Sequence, residues 1–217
     1  MSKKKRKKKK GVRPKSPRRV YQTPRSKIRP ITRKREEILA RAREMPILGC
    51  WRTQGWQESG MASVLLVREQ DPLHIVYGVY LVDLLCLGIK DAFADVNVPR
   101  TSLRGILRRA FRGEEEPCDA AFAHQLIYGA IEYARKYGFE PHKDFYRLGA
   151  DKILDPPGTH TTPKYDIHFG GEDGQPVFVA GPYDDDRFIQ KVLDTLERTA
   201  PGKYHYVVPI SEEELEA

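Results

Sequence analysis

Two short histidine–carboxylate pairs are the residues of this sequence best placed to do chemistry. His142 and Asp144 follow Gly138 in a loop-like stretch, and Asp166 and His168 lie two apart in an alternating run. Residues two apart on a strand point to the same side, so the second pair presents both groups together. Brought into contact, the four would offer two imidazoles and two carboxylates, a donor set suited to Mn²⁺, Zn²⁺ or Fe²⁺. Hydrolysis by a metal-activated water is the reaction such a cluster implies. Sequence spacing leaves open whether the pairs meet, and each taken singly is an ordinary polar pair of a turn or surface.

Other groups have both a chemical and a plain reading. His124 precedes Tyr128 by one helical turn; in a cleft it would serve as general acid or base, and on an apolar face it is a hydrogen-bonded core residue. Asp184, Asp185 and Asp186 after Gly181 and Pro182 suit Mg²⁺, but Asp at a helix start is also what capping requires, and Asp184 is the expected cap. Asp83 and Asp91 interrupt the most apolar stretch of the chain and need cationic or backbone-amide partners. Trp51 and Trp56, with Arg52, Gln54 and Gln57 around Gly55, suit base stacking or a core edge. No P-loop, dinucleotide, serine-elbow or zincin pattern occurs, which argues against the familiar nucleotide-binding and hydrolase sites.

Charge is the stronger signal. Eighteen of the 38 Lys and Arg residues fall in residues 1–35, which hold no Asp or Glu; the other 20 face 30 acidic residues, so a net +8 divides into +18 and −10. Lys3, Lys4, Lys5, Arg6, Lys7, Lys8, Lys9 and Lys10 form an unbroken run, followed by Arg13, Arg18 and Arg19 among prolines and serines. Such a segment has little apolar surface to offset ordering entropy, so residues 1–31 are expected to be a disordered tail. Nucleic acid is its expected partner, because cations that displace counterions from phosphates gain salt-sensitive, sequence-blind affinity. A nuclear-localisation signal, an anionic membrane surface and the protein's own acidic body are the alternatives. Arg104, Arg108 and Arg112 recur every four residues, with Arg109 beside them, a second candidate phosphate-binding face or simply a solvated helix face.

The elements that must position these groups read as α+β, a mainly antiparallel sheet with helices packed on one face. Thr32 is expected to cap a linking helix within residues 32–46. Residues 61–69 and 74–81 read as strands joined across Gln70-Asp71-Pro72, and residues 82–94 shift toward helical spacing. Leu103, Ile106, Leu107, Ala110 and Phe111 mark a helix over 101–112, and a second runs from near Pro117 to Tyr137, ahead of Gly138. Residues 165–169 and 176–180 flank a glycine-rich turn and read as a hairpin; a helix follows, then a strand over 203–208. The domain is expected to span 47–210, with an acidic tail at 211–217.

Three cysteines, Cys50, Cys86 and Cys118, too far apart for a CxxC pair and odd in number, argue against a disulfide framework. No apolar h-region follows the N-terminal charge, and His74, Asp83, Lys90 and Asp91 interrupt the stretch nearest in character to a membrane span. A cytoplasmic setting, with nucleoid or ribosome association, is the expectation.

Residues 80–92 (YLVDLLCLGIKDA), 127–145 (IYGAIEYARKYGFEPHKDF) and 181–186 (GPYDDD) together resemble a group of uncharacterised bacterial proteins, over roughly residues 45–200. The resemblance implies a bacterial, cytoplasmic setting and carries no activity and no site residue; the Lys/Arg tail lies outside it. The leading expectation is a non-enzymatic RNA- or DNA-associated protein needing no cofactor. A divalent-metal-dependent hydrolase or nuclease using His142, Asp144, Asp166 and His168 is one alternative, and an adaptor whose acidic body binds a protein partner is the other.

Overall fold

Val64, Leu65, Leu66 and Val67 are all buried, so this run is apolar on both sides of an extended chain and belongs in the middle of a sheet covered on both faces. In the computed structural model of the protein, which describes residues 28–207, it forms the centre of β2 (Met61–Glu69). Its neighbours are β1 (Ile47–Thr53) and β3 (His74–Asp83), and the sheet is completed by β4 (Gly88–Pro99) and β5 (Glu115–Pro117). These five strands are antiparallel in the order β4–β3–β2–β1–β5. The expected β2–β3 hairpin forms. Asp71 closes it by accepting the backbone N–H groups of Leu73 and His74, both at 2.9 Å.

Helices cover both faces unequally. The main layer is α4 (Ala120–Lys136), whose Phe122, Ala123, Leu126, Ile127, Ala130 and Ile131 pack on Val64, Leu66, Val76 and Tyr80. On the opposite face α3 (Leu103–Phe111) seats Ile106 and Phe111 against Leu65, Val67, Ile75 and Tyr77. The two faces alternate residue by residue along β2 and β3, as a period of two demands. Each helix ends where the sequence places it: Arg112 and Gly113 turn left-handed after α3, and Gly138, at φ +83°, does so after α4.

The remaining elements are α1 (Ile28–Ala40), α2 (Trp56–Ser59), α5 (Asp144–Arg147), β6 (Val177–Val179), α6 (Asp186–Thr199) and β7 (His205–Val207). Four expectations change. Thr32 lies inside α1 rather than capping it, and the helix belongs to the body: Leu39 is in the main core, and Arg35 reaches the carbonyls of Ala94 and Leu148, each at 2.8 Å. Residues 82–94 form a strand–turn–strand, not a helix. The Asp83 carboxylate accepts the N–H groups of Leu85 and Cys86, and Gly88, at φ +70°, turns the chain into β4 where a Cβ would press on the Ala130 carbonyl of α4.

The hairpin expected across residues 170–174 does not form either. Its turn is present, with Gly171 N–H donating to Gln175 O, but β6 pairs in parallel with β7, and residues 165–169 pair with no strand among the described residues. Finally, α6 is capped by Asp185, which accepts from Phe188 N–H, while Asp184 turns back to Gly181 N–H and Lys90. α6 packs Val192 and Leu196 against Cys86, Leu87 and Phe178 in a third cluster. Among the described residues, no helix is long and apolar enough to cross a membrane. The cationic run Lys3–Lys10, Arg13, Arg18, Arg19 and the acidic tail at 211–217 lie outside the described residues.

Candidate functional site

His142 is brought to the edge of the sheet by backbone bonding. After Gly138 reverses the chain, the loop doubles back along β4, and the His142 N–H donates to the Ile89 carbonyl at 2.9 Å. β4 is irregular at the same point. Val82 pairs with Ile89 but Leu81 pairs with Asp91, so Lys90 is an extra residue in a bulge. A bulge re-aims the side chains beside it. Here Ile89 and Ala92 both face the core, and Asp91 is turned out toward His142.

The third member comes from α5. The Asp144 carboxylate is fixed by Arg147, which donates to Oδ1 from Nε at 2.7 Å and from a terminal nitrogen at 2.6 Å, leaving Oδ2 facing His142. His142 Nδ1 stands 3.7 Å from Asp91 Oδ1 and 3.9 Å from Asp144 Oδ2. Both distances are too long for hydrogen bonds, and Nδ1 is a buried atom without a partner. One ligand atom from each of Asp91, His142 and Asp144 lies within 4.8 Å of the other two. Bonds of about 2.0–2.2 Å hold a metal's donors at most about 4.4 Å apart, so a divalent cation requires only a slight contraction of this group.

His142 also lines a cavity of about 520 Å³ between β4 and α6, whose walls include Lys90, Phe139, Asp184, Phe188 and Lys191. Lys90 is tied to Asp184 at 3.3 Å. Of the triad only His142 lines this cleft, which carries two ammonium groups, one of them paired with Asp184.

Asp166 and His168 do not join His142 and Asp144. They lie in the unpaired extended segment whose Tyr165, Ile167 and Phe169 pack on the main core, so the two polar groups do share a side. They line a separate cavity of about 320 Å³ with Trp56, Gln57 and Leu85, and His168 Nε2 bonds to the Gly171 carbonyl. The four-residue metal cluster is thus replaced by three groups, and Asp91, marked in the sequence only as a charge needing a partner, is the added one. Asp83 takes its partners from the backbone amides of Leu85 and Cys86; burial pushes its carboxyl up, although those amides pull the other way.

His124 is a buried core histidine, 4% exposed, bonded through Nε2 to the Pro156 carbonyl at 2.8 Å and set against the rings of Tyr128 and His160. Burial lowers its pKa and so favours the neutral imidazole, against the pull of the Pro156 hydrogen bond. The neighbouring His160 bonds through Nε2 to Asp155 Oδ2 at 2.7 Å, and buried Arg68 holds Asp155 Oδ1 at 2.7 Å. Residue spacing does not disclose this relay; Arg68, a lone charge in the apolar β2 run, is its one signal in the sequence. Arg68 also donates to the carbonyls of Ile153, Arg43 and Met45, so the relay ties the 153–160 loop to the sheet.

Arg104, Arg108 and Arg109 on α3, and Arg112 at its C-cap, are all exposed, away from Ile106 and Phe111. None makes a side-chain ion pair or hydrogen bond among the described residues. Trp56 is buried against Phe122, with the Arg52 guanidinium over both rings, so it covers a core edge rather than offering a face to a base. No family model matches the chain, and neither a curated protein nor a solved structure matches it.

Proposed function

We propose that this protein associates with RNA or DNA, holding phosphates through the Lys/Arg-rich segment 1–35 and the arginine face of α3. The observation that carries the reading is the state of that face. Four guanidinium groups stand exposed and unpaired, three on a helix whose other side is locked into the core and one at its C-cap. Arg104, Arg108 and Arg112 rise about 6 Å apart along the axis, so the row spans about 12 Å and can follow successive phosphates. Binding of this kind reads backbone charge, not sequence. A cytoplasmic, bacterial setting and a protein partner for the acidic body belong to the same proposal.

The test is duplex and single-strand affinity across a salt series for the full chain and for the triple variant Arg104→Gln, Arg108→Gln, Arg112→Gln. The slope of log affinity against log salt should become shallower by about 0.9 for each duplex phosphate that the variant no longer neutralises. A variant with wild-type affinity and slope removes α3 from the interface. Full-length chain that fails to bind at low salt removes the reading.

A second reading rests on the triad. Asp91, His142 and Asp144, of which His142 lines a lysine-bearing cleft, suit a divalent cation that activates water against a phosphoester. In that case the basic segment would deliver the substrate. Metal-dependent strand cleavage that is lost in His142→Ala separates this reading from simple association.

A further inference from the structure

Cys50 and Cys118 face each other across the β1–β5 pair. Trp51 is opposite Pro117 in that register, so the next step places Cys50 opposite Cys118, whose N–H donates to the Cys50 carbonyl at 3.0 Å. Their Sγ atoms are 3.4 Å apart. A disulfide requires sulfurs about 2.05 Å apart on Cα atoms about 4.4–6.8 Å apart. Opposed hydrogen-bonded residues of an antiparallel pair, at about 5.5 Å, already satisfy the backbone condition. Only a small side-chain rotation separates the two thiols from a bond.

The two thiols are not equivalent. Cys50 is buried, whereas Cys118 is partly exposed. Cys118 stands immediately before Asp119, the N-cap of the seventeen-residue α4, where the helix end carries partial positive charge. Arg52 lies on the same strand as Cys50, its guanidinium fixed by Glu116 at 2.6 Å. The Cys50 thiol hydrogen bond holds Cys118 below its ordinary range, with Arg52 assisting, against burial and the charges of Asp119 and Glu116. That same hydrogen bond and burial push Cys50 up.

We propose that Cys118 is a site of oxidation by hydroperoxides and that Cys50 is its resolving thiol. The Cys118 sulfur, as thiolate, attacks one oxygen of the hydroperoxide; an S–O bond forms, the O–O bond breaks, and hydroxide or alkoxide leaves. The Cys50 sulfur then attacks the sulfenic sulfur of Cys118, giving up its proton; the S–S bond forms, the S–O bond breaks, and water leaves. Two thiols are oxidised by two electrons and one hydroperoxide is reduced. This chemistry is independent of the nucleic-acid and metal readings. Cys86 is an internal control, because it is fully buried in the α6 cluster and burial pushes its thiol up.

The experiment treats reduced, desalted full-length chain with hydrogen peroxide, with and without dimedone, and maps cysteines by peptide mass spectrometry after denaturing alkylation. Wild type should lose two hydrogens and yield one linked peptide pair, Cys50 with Cys118, reversed by dithiothreitol, with Cys86 still alkylated. Cys50→Ser should instead accumulate the dimedone adduct on Cys118. Cys118→Ser should give neither the linked pair nor an adduct on Cys50. Wild type that keeps both thiols under peroxide that oxidises free cysteine in a parallel tube overturns the proposal. A disulfide that includes Cys86 also overturns it, and a first adduct on Cys50 overturns the assignment of roles. Should Cys50→Ser fail to fold, the wild-type peptide map alone decides.

Discussion

Arg68 and Asp155 close a 2.7 Å ion pair beneath the 153–160 loop, with the arginine side chain only 3% exposed. Burial pushes the Asp155 carboxyl up, but the His160 hydrogen bond and the Arg68 charge outweigh it and hold the group below its ordinary 3.8. A carboxylate lowered in the folded state contributes stability above its unfolded value and loses it as pH falls through the folded one. Asp155→Asn should destabilise the fold by about 3–5 kcal/mol, because it strands a buried guanidinium. Its acid unfolding below pH 3.8 should be correspondingly flatter. Chemical denaturation of the variant at neutral pH and across the acid limb checks both.

His124 gives the opposite end of the same network a different pH signature. Buried on α4 and neutral, with His160, Tyr128 and Asp155 as its titratable neighbours, it binds a proton less readily than in the unfolded chain, where its value is 6.5. Stability should be full above 6.5 and decline as pH falls below it, by at most about 1.4 kcal/mol per pH unit. His124→Gln should flatten that stretch of the curve, at a cost of about 1 kcal/mol for the altered bond to Pro156. Unfolding midpoints measured across the stretch distinguish the two chains.

Gly78 on β3 leaves room for the Tyr80 ring, whose hydroxyl occupies the space a Cβ would need and donates to the Ala150 carbonyl at 2.8 Å. Gly78→Ala should therefore overpack the core by about 1–3 kcal/mol despite its better strand propensity. A lower urea midpoint at unchanged slope is the expected result; an unchanged midpoint means that Tyr80 moves aside freely.

The triad predicts a cation effect on stability. If Asp91, His142 and Asp144 hold Mn²⁺ or Zn²⁺, metal at about one hundred times its dissociation constant should stabilise the chain by about 2.7 kcal/mol. His142→Ala should abolish this increment. Thermal shift against a metal series, with Asp166→Asn as a control outside the group, measures it.

Local chemistry decides what the sequence discloses. The β2–β3 hairpin is legible because Asp71 and Pro72 mark its turn, and α3 and α4 because their apolar residues recur with helical spacing and end at glycines. Residues 82–94 mislead because Asp83 serves the turn with its own side chain, and the apolar residues beyond it serve a strand against a crowded helix. β6 has its partner in β7, across the whole of α6, and such pairing leaves no neighbouring signature. The site divides in the same way. His142 and Asp144 are close in sequence and pair on sight, whereas Asp91 joins them through a bulge that no residue type announces. Asp155, His160 and Arg68 meet only when the loop closes on the sheet. Cys50 and Cys118, separated by 68 positions, become neighbours only through strand register.

The outer edge of β4 has a further consequence. Its Ala94 carbonyl is taken by Arg35 and its Ile89 carbonyl by the backbone of His142, the bulge at Lys90 breaks its line, and Asp91 and Asp95 interrupt its apolar character. At the other end β5 offers only three residues. A sheet edge that is bulged, charged and partly occupied, facing another cut to three residues, is a poor template for an added strand. Edge pairing through the five-stranded sheet, the common route to aggregation for exposed sheets, is thereby disfavoured.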